Sequence, residues 1–170
     1  MTLYTHTIYG VTFLLMNINN YEFPLKELSC LVSSNLTLLL QDIYEDINGF
    51  YLYVFFIYEK DNYKKIGRIT LRLGDSTEIY YKGNIGYNVI KKHRKKGYAS
   101  DACKIILKYL RQKGIKKVII TVDMKNVASQ RVCQAIGGRI ISIVTIPYEL
   151  RTTKSQSKRY IYEINTIQLL

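Results

Sequence analysis

Apolar positions along this chain follow two different periods, and the points where the period changes mark its elements. Phe50 to Tyr58 is an aromatic and β-branched run, which reads as a strand. Asp61-Asn62 offers a hairpin turn into a second strand, Ile66 to Leu73, and Gly74-Asp75 makes the next turn. Asn84 to Ile90 reads as another strand. The period then becomes helical. Ala99, Ala102, Cys103, Ile106, Leu107 and Leu110 share one face of a helix from Tyr98 to Lys113, while Asp101, Lys104, Lys108 and Arg111 lie off it. Gly114 stands where a helix-ending glycine belongs. Val118 to Val122 is β-branched throughout and short, so it reads as a buried strand that can run parallel to its predecessor.

The remaining segments are read more coarsely. Leu25 to Ile47 is helical in composition, with Pro24 near its start, and Ser33-Ser34-Asn35 offers a break into two helices. Leu3 to Leu15 supplies a first strand, and Asn17-Ile18-Asn19-Asn20 a short polar turn. Asn126 is a good N-cap for a helix from Val127 to Ile136. Ile140 to Pro147 and Lys158 to Ile164 form a closing strand pair. The fold class is α/β (α+β): a mixed sheet with helices on its faces.

Composition narrows the picture. A length of 170 residues suits one domain, spanning 1–170, and 48% hydrophobic residues argue against disorder. No run of about 18 apolar residues exists, so no membrane span is expected. Val11 to Met16 lacks the basic leader and small-residue cleavage site of a secretory signal. Cys30, Cys103 and Cys133 are odd in number and widely spaced. They fit reduced thiols in a cytoplasm, with neither a disulfide framework nor a zinc cluster, and no metal site is expected.

The candidate chemistry lies between the strand at Asn84 and the helix at Tyr98. His93-Arg94-Lys95-Lys96-Gly97-Tyr98-Ala99 places a cation-rich turn directly on a helix N-terminus. Free backbone N–H groups and the helix dipole make such a place suitable for phosphate. Gly97 permits unusual dihedrals or a close backbone approach there. Two common phosphate motifs are absent. There is no Gly, four-residue spacer, Gly-Lys-Ser/Thr loop, and the turn has one glycine where a dinucleotide fingerprint needs three.

What the turn does contain is Arg94-x-x-Gly97-x-Ala99. Here the chain resembles the GCN5-related N-acetyltransferase (GNAT) superfamily, whose acyl-CoA pyrophosphate loop is Arg/Gln-x-x-Gly-x-Gly/Ala at this junction. The context strengthens the likeness. Ile85-Gly86-Tyr87-Asn88-Val89 looks like the family's fourth strand, Ile66 to Arg72 like the strand before it, and Asn126-x-x-Ser129 with Gly137-Gly138 like the next strand-to-helix segment. The resemblance runs from about Gly49 to Ile164.

The resemblance implies acetyl-CoA as acyl donor and a splayed sheet with the pantetheine arm in the gap. It implies a donor site of Tyr87, Asn88, Val89, Arg94, Lys95, Lys96, Gly97, Tyr98, Ala99, Asn126 and Ser129. The Val89 backbone would hold the arm, and its N–H would steady the thioester oxyanion. Many members place a tyrosine acid seven residues after the asparagine, and that position here is Cys133. Cys133, water, or a tyrosine elsewhere such as Tyr160 remain open as acid. Glu78 and Asp123 are the candidates for general base, because an amine must lose a proton to react. His93 reads as solvated or phosphate-facing, and His6 carries no assigned role.

Charge bears on the partners. The net charge is +12, and Lys91 to Lys117 holds 11 Lys/Arg against one acid, Asp101. A positive field around the loop would assist capture of the CoA phosphates. A nucleic-acid patch is the other reading of a basic surface, without an aromatic RNP-type motif or zinc-finger spacing behind it. The expected activity is direct acetyl transfer to a primary amine of a small molecule or peptide in a cytoplasmic enzyme, monomeric or homodimeric. Acetylation of aminoacyl-tRNA, or a non-catalytic fold binding CoA or nucleic acid, are the alternatives.

Overall fold

The structure is a computed structural model that describes residues 4–8, 11–15, 28–45, 51–74, 77–150 and 158–168. Its largest layer is an antiparallel sheet of five strands in the order β3-β4-β5-β6-β7: β3 (Cys30–Val32), β4 (Leu36–Glu45), β5 (Tyr51–Glu59), β6 (Lys64–Leu73) and β7 (Ile85–Val89). The middle strands β5 and β6 are largely covered, and Tyr53, Phe55, Ile57, Ile66, Ile69 and Leu71 enter the core. Among the described residues the helices that accompany the sheets are α1 (Thr77–Lys82), α2 (Tyr98–Gln112) and α3 (Val127–Ala135). The apolar stripe of α2, including Ala102, Cys103, Ile106, Leu107 and Leu110, is buried against this core. The helix stops at Gly114 as the sequence indicates, where φ is 77°.

A second sheet has the order β8-β10-β9, from β8 (Lys117–Asp123), β9 (Arg139–Thr145) and β10 (Lys158–Asn165), again antiparallel. The expected closing pair forms, and β10 inserts between β8 and β9. Ile140, Ile141 and Ile143 of β9 are exposed. A separate hairpin joins β1 (Tyr4–Ile8) and β2 (Val11–Leu15). Val118, Ile120 and Val122 of β8 join the same core as the first sheet.

The main departure from expectation is Leu25 to Ile47. Leu28 is helical, but from Cys30 the described part is strand: β3 and β4 are a hairpin, and Ser33 Oγ accepts from the Leu36 N–H at 3.0 Å to shape the turn. Leucine-rich sequence favours helix only weakly, and pairing of β4 with β5 along its whole length overrides that preference. Ser33-Ser34-Asn35 is a hairpin turn and not a helix break. Leu3 to Leu15 holds two strands where one was expected. The helix α1 was not foreseen. Pro24 and Asn17 to Asn20 lie outside the described residues. Among the described residues, no helix is long and apolar enough to cross a membrane.

Candidate active site between two splayed strands

Each sheet ends on an edge strand, β7 in one and β8 in the other, and these edges face each other. They meet at a junction built on one residue. The Asn84 N–H donates to the Ile119 carbonyl (2.7 Å), and the Ile119 N–H donates to Asn84 Oδ1 (2.8 Å). Asn84 Nδ2 also donates to the Arg72 carbonyl on β6 at 3.1 Å. One side chain therefore ties β6 and β8 to the start of β7. Gly83 lets this turn approach closely, because a Cβ there would lie 2.9 Å from the Thr121 nitrogen.

Beyond the junction the two strands are not hydrogen-bonded to each other. Ile85, Gly86 and Tyr87 form one wall of a cavity of about 210 Å³, and Ile120 to Asp123 form the other. Asn126 and Ser129 at the start of α3, with Arg159 of β10, complete the lining. This is the splay that the sequence resemblance implies. No ladder joins β7 and β8, so the parallel pairing open to β8 from its sequence does not form.

The backbone of β7 is oriented by its register. Val89 lies opposite Gly67, and the Ile90 N–H donates to the Ile66 carbonyl at 2.9 Å. Val89–Gly67 is thus a non-hydrogen-bonded pair, so the Val89 N–H and C=O point away from β6, toward the gap. The same alternation turns the Tyr87 backbone to the gap and that of Asn88 to Arg68 on β6. Arg94 Nε donates to the Val89 carbonyl at 2.8 Å, so the loop cation braces the strand that precedes it. The Val89 side chain is buried, as expected of a core residue.

The loop reaches α2 through two left-handed residues, Lys95 (φ 64°) and Gly97 (φ 82°). Gly97 is the N-cap of α2, and no side chain caps the helix. Ser100 Oγ turns back to the Gly97 carbonyl (2.7 Å), which leaves the first-turn N–H groups without a side-chain acceptor. An uncapped, cation-flanked helix start of this kind suits a phosphate. Tyr98 donates to the Glu59 carboxylate, which also accepts from Asn62 at 2.8 Å. Those two bonds, with Lys96 and His93 nearby, hold Glu59 below the usual carboxylate range.

Residues 32–139, more than half of the chain, match the sequence profile of the acetyltransferase (GNAT) domain. The chain belongs to the GNAT acetyltransferase family. Solved structures share the fold. The GNAT-family acetyltransferase from Bacillus anthracis is 25% identical, with 68% of this chain and 67% of that one covered and a TM-score of 0.56. The microcin C7 self-immunity acetyltransferase MccE, solved with acetyl-CoA and AMP, is 18% identical over 67% of this chain and 61% of its own, with a TM-score of 0.54. The ribosomal-protein-S5-alanine acetyltransferase from Vibrio fischeri is 13% identical over 70% and 64%, with the same TM-score. No curated protein matches the chain.

Within this GNAT domain the expected residues separate by position. Tyr87, Asp123, Asn126 and Ser129 line the cavity. Asn126 caps α3, its Oδ1 accepting from the Ser129 N–H at 3.1 Å. Asp123 Oδ1 accepts from the Lys125 N–H at 2.8 Å, so this carboxylate also shapes the turn into α3. Glu78 lies on α1. Cys133 is fully buried and off the cavity lining. Burial pushes its thiol up to about 12, with a hydrogen bond to Tyr87 partly opposing that. The Tyr87 hydroxyl donates to the Ser129 carbonyl at 3.3 Å, and burial first, then the Cys133 and Cys103 thiols, raises its pKa. Tyr160 is half-buried and stacks edge-on against Tyr162 at 6.3 Å.

His93, expected to be solvated or phosphate-facing, is buried rather than solvated, and its Nε2 finds no partner among the described residues. Desolvation, then Lys64, Lys92 and Lys96, lowers its pKa, so it stays neutral near pH 7. Sequence reasoning missed Asn84, Thr121 and Arg159. For Asn84 the Gly83-Asn84 dipeptide signals only a turn. Thr121 Oγ1 and Arg159 Nε are buried without hydrogen-bond partners among the described residues, and both residues line the cavity. No sequence signal marks either one. Among the described residues no His/Cys/Asp/Glu group could hold a metal ion.

Proposed function

We propose that this GNAT domain transfers an acetyl group from acetyl-CoA to a primary amine, directly and without a covalent enzyme intermediate. The observation that carries the reading is the open wedge between β7 and β8, together with the short chain path from β7 to the uncapped, cation-rich start of α2. The pyrophosphate would sit on the N–H groups of Arg94 to Ala99, and the pantetheine arm would run into the wedge beside Asn126 and Ser129. The Val89 N–H, turned to the gap, supplies a donor for the thioester oxygen as it becomes an oxyanion.

In the transfer step the amine nitrogen attacks the thioester carbon, a C–N bond forms, and the C–S bond breaks. The proton lost by nitrogen passes to Asp123, directly or through water. The CoA sulfur leaves as a thiolate, whose thiol has a pKa of about 8.5 by analogy with cysteine, so it needs little acid assistance near neutral pH. The Tyr87 proton is already given to the Ser129 carbonyl and Cys133 is buried off the cavity lining, so water is the proton source for that sulfur. Calorimetry with acetyl-CoA tests the donor half, and thiol release across an amine library tests the transfer. Absence of acetyl-CoA binding by the full chain would end this reading.

A further inference from the structure

Two charged residues in the cavity have no role in binding the donor. Asp123 and Arg159 are directly opposite each other in the β8–β10 register, so their side chains share one face of the sheet. Both line the cavity, yet they form no ion pair. Arg159 Nε is buried and has no hydrogen-bond acceptor among the described residues. A buried N–H donor without an acceptor is costly, because its lost hydration is not replaced. Cross-strand neighbours of opposite charge normally satisfy one another. Here Asp123 directs one oxygen to the Lys125 N–H instead.

We infer that Arg159 and Asp123 dock the acceptor, and that the acceptor is an amine carrying an anionic group, carboxylate or phosphate, close to its nitrogen. The guanidinium fork matches either anion with two parallel donors, which satisfies the orphaned Nε. Asp123 faces the ammonium end of the same molecule and accepts its proton. A zwitterion thus replaces the ion pair that the protein leaves unmade. Burial lowers the Arg159 pKa while Asp123 opposes the shift, as expected for a cation held out of water beside a carboxylate. Thr121, whose Oγ1 is also unpartnered, adds a polar contact on the same wall.

The inference rests on the proposed acetyl transfer, and the experiment separates the two. Thiol release from acetyl-CoA is followed with the full chain and three sets of amines matched in length. One set carries a carboxylate, one a phosphate, and one a neutral carboxamide. Wild type should favour one anionic set over the carboxamides by about tenfold or more in kcat/KM, or about 1.4 kcal/mol. Arg159→Met should collapse that ratio to near one by raising KM for the anionic amines. Arg159→Lys should keep part of a phosphate preference and lose most of a carboxylate preference, because lysine has no fork. The favoured set identifies the anion. A wild type that treats all three sets alike, or uses none while binding acetyl-CoA, overturns the inference. So does an Arg159→Met protein with an unchanged ratio. Failure of wild type to bind acetyl-CoA in calorimetry overturns the underlying reading instead.

Discussion

Replacing Asn84 with alanine should loosen the wedge at its hinge point. The substitution removes two side-chain hydrogen bonds, the acceptor for the Ile119 N–H at 2.8 Å and the donor to the Arg72 carbonyl at 3.1 Å. Both partners are backbone groups in a partly buried junction, where leaving each unsatisfied costs about 1–3 kcal/mol. Partial rehydration favours the lower half of the range, so the expected loss is about 2–4 kcal/mol. For a chain of this size that is a fall of roughly 10 °C in thermal midpoint. Asn84→Asp keeps an acceptor for Ile119 and loses only the donor, so it should retain about half the difference. Urea unfolding with a shared m-value gives the stability change. Calorimetry should show acetyl-CoA affinity falling by about tenfold in Asn84→Ala, since the strand that offers the Val89 N–H loses its anchor. A stability loss under about 0.5 kcal/mol, the level of an ordinary surface change, would refute the assignment of the junction to this side chain.

Further outcomes follow from the site. Gly97→Glu should abolish acetyl-CoA binding in calorimetry, because it forces a β-carbon into φ 82° and sets a carboxylate beside the phosphates. Acetyl-CoA at about 100 times its dissociation constant should stabilise wild type by roughly 2.7 kcal/mol, read as a rise in thermal midpoint. Cys133→Ala should lower stability modestly and turnover by less than about tenfold; a thousandfold loss with folding and CoA affinity intact would make the thiol the acid after all. The folded-state pKa of His93 is depressed, so the unfolded chain takes up its proton first as pH falls below about 6.5. Its contribution to stability is present above that pH and lost on acidification, and His93→Gln should flatten the slope in urea titrations between about pH 5 and 6.5.

The donor half of the site was legible because its physics is local. A helical stripe, a glycine that adopts a left-handed conformation and a run of cations lie within one short segment, and the fold places them as read. Leu36–Glu45 misled because leucine serves helix and strand alike, and only pairing with β5 decides between them. The seven-residue spacing that points to Cys133 gives its place on α3, but not its seclusion beneath Tyr87. Asn84 and Arg159 were invisible for a different reason. An asparagine in a turn and an arginine in a strand acquire meaning only from Ile119 and Asp123, which lie far away in the chain.

The position of β10 between β8 and β9 also fixes an order of assembly. Strands β3 to β7, the donor loop and α2 are all made before β8, and their pairings are with neighbours in the chain. Neither β8 nor β9 has a ladder partner until the last long strand emerges. During synthesis one wall of the wedge can therefore form while the other still waits for Lys158 to Asn165. The nascent chain makes the proposed phosphate-binding turn before the proposed acceptor arginine, so the proposed transfer would become possible only once β10 is threaded into place.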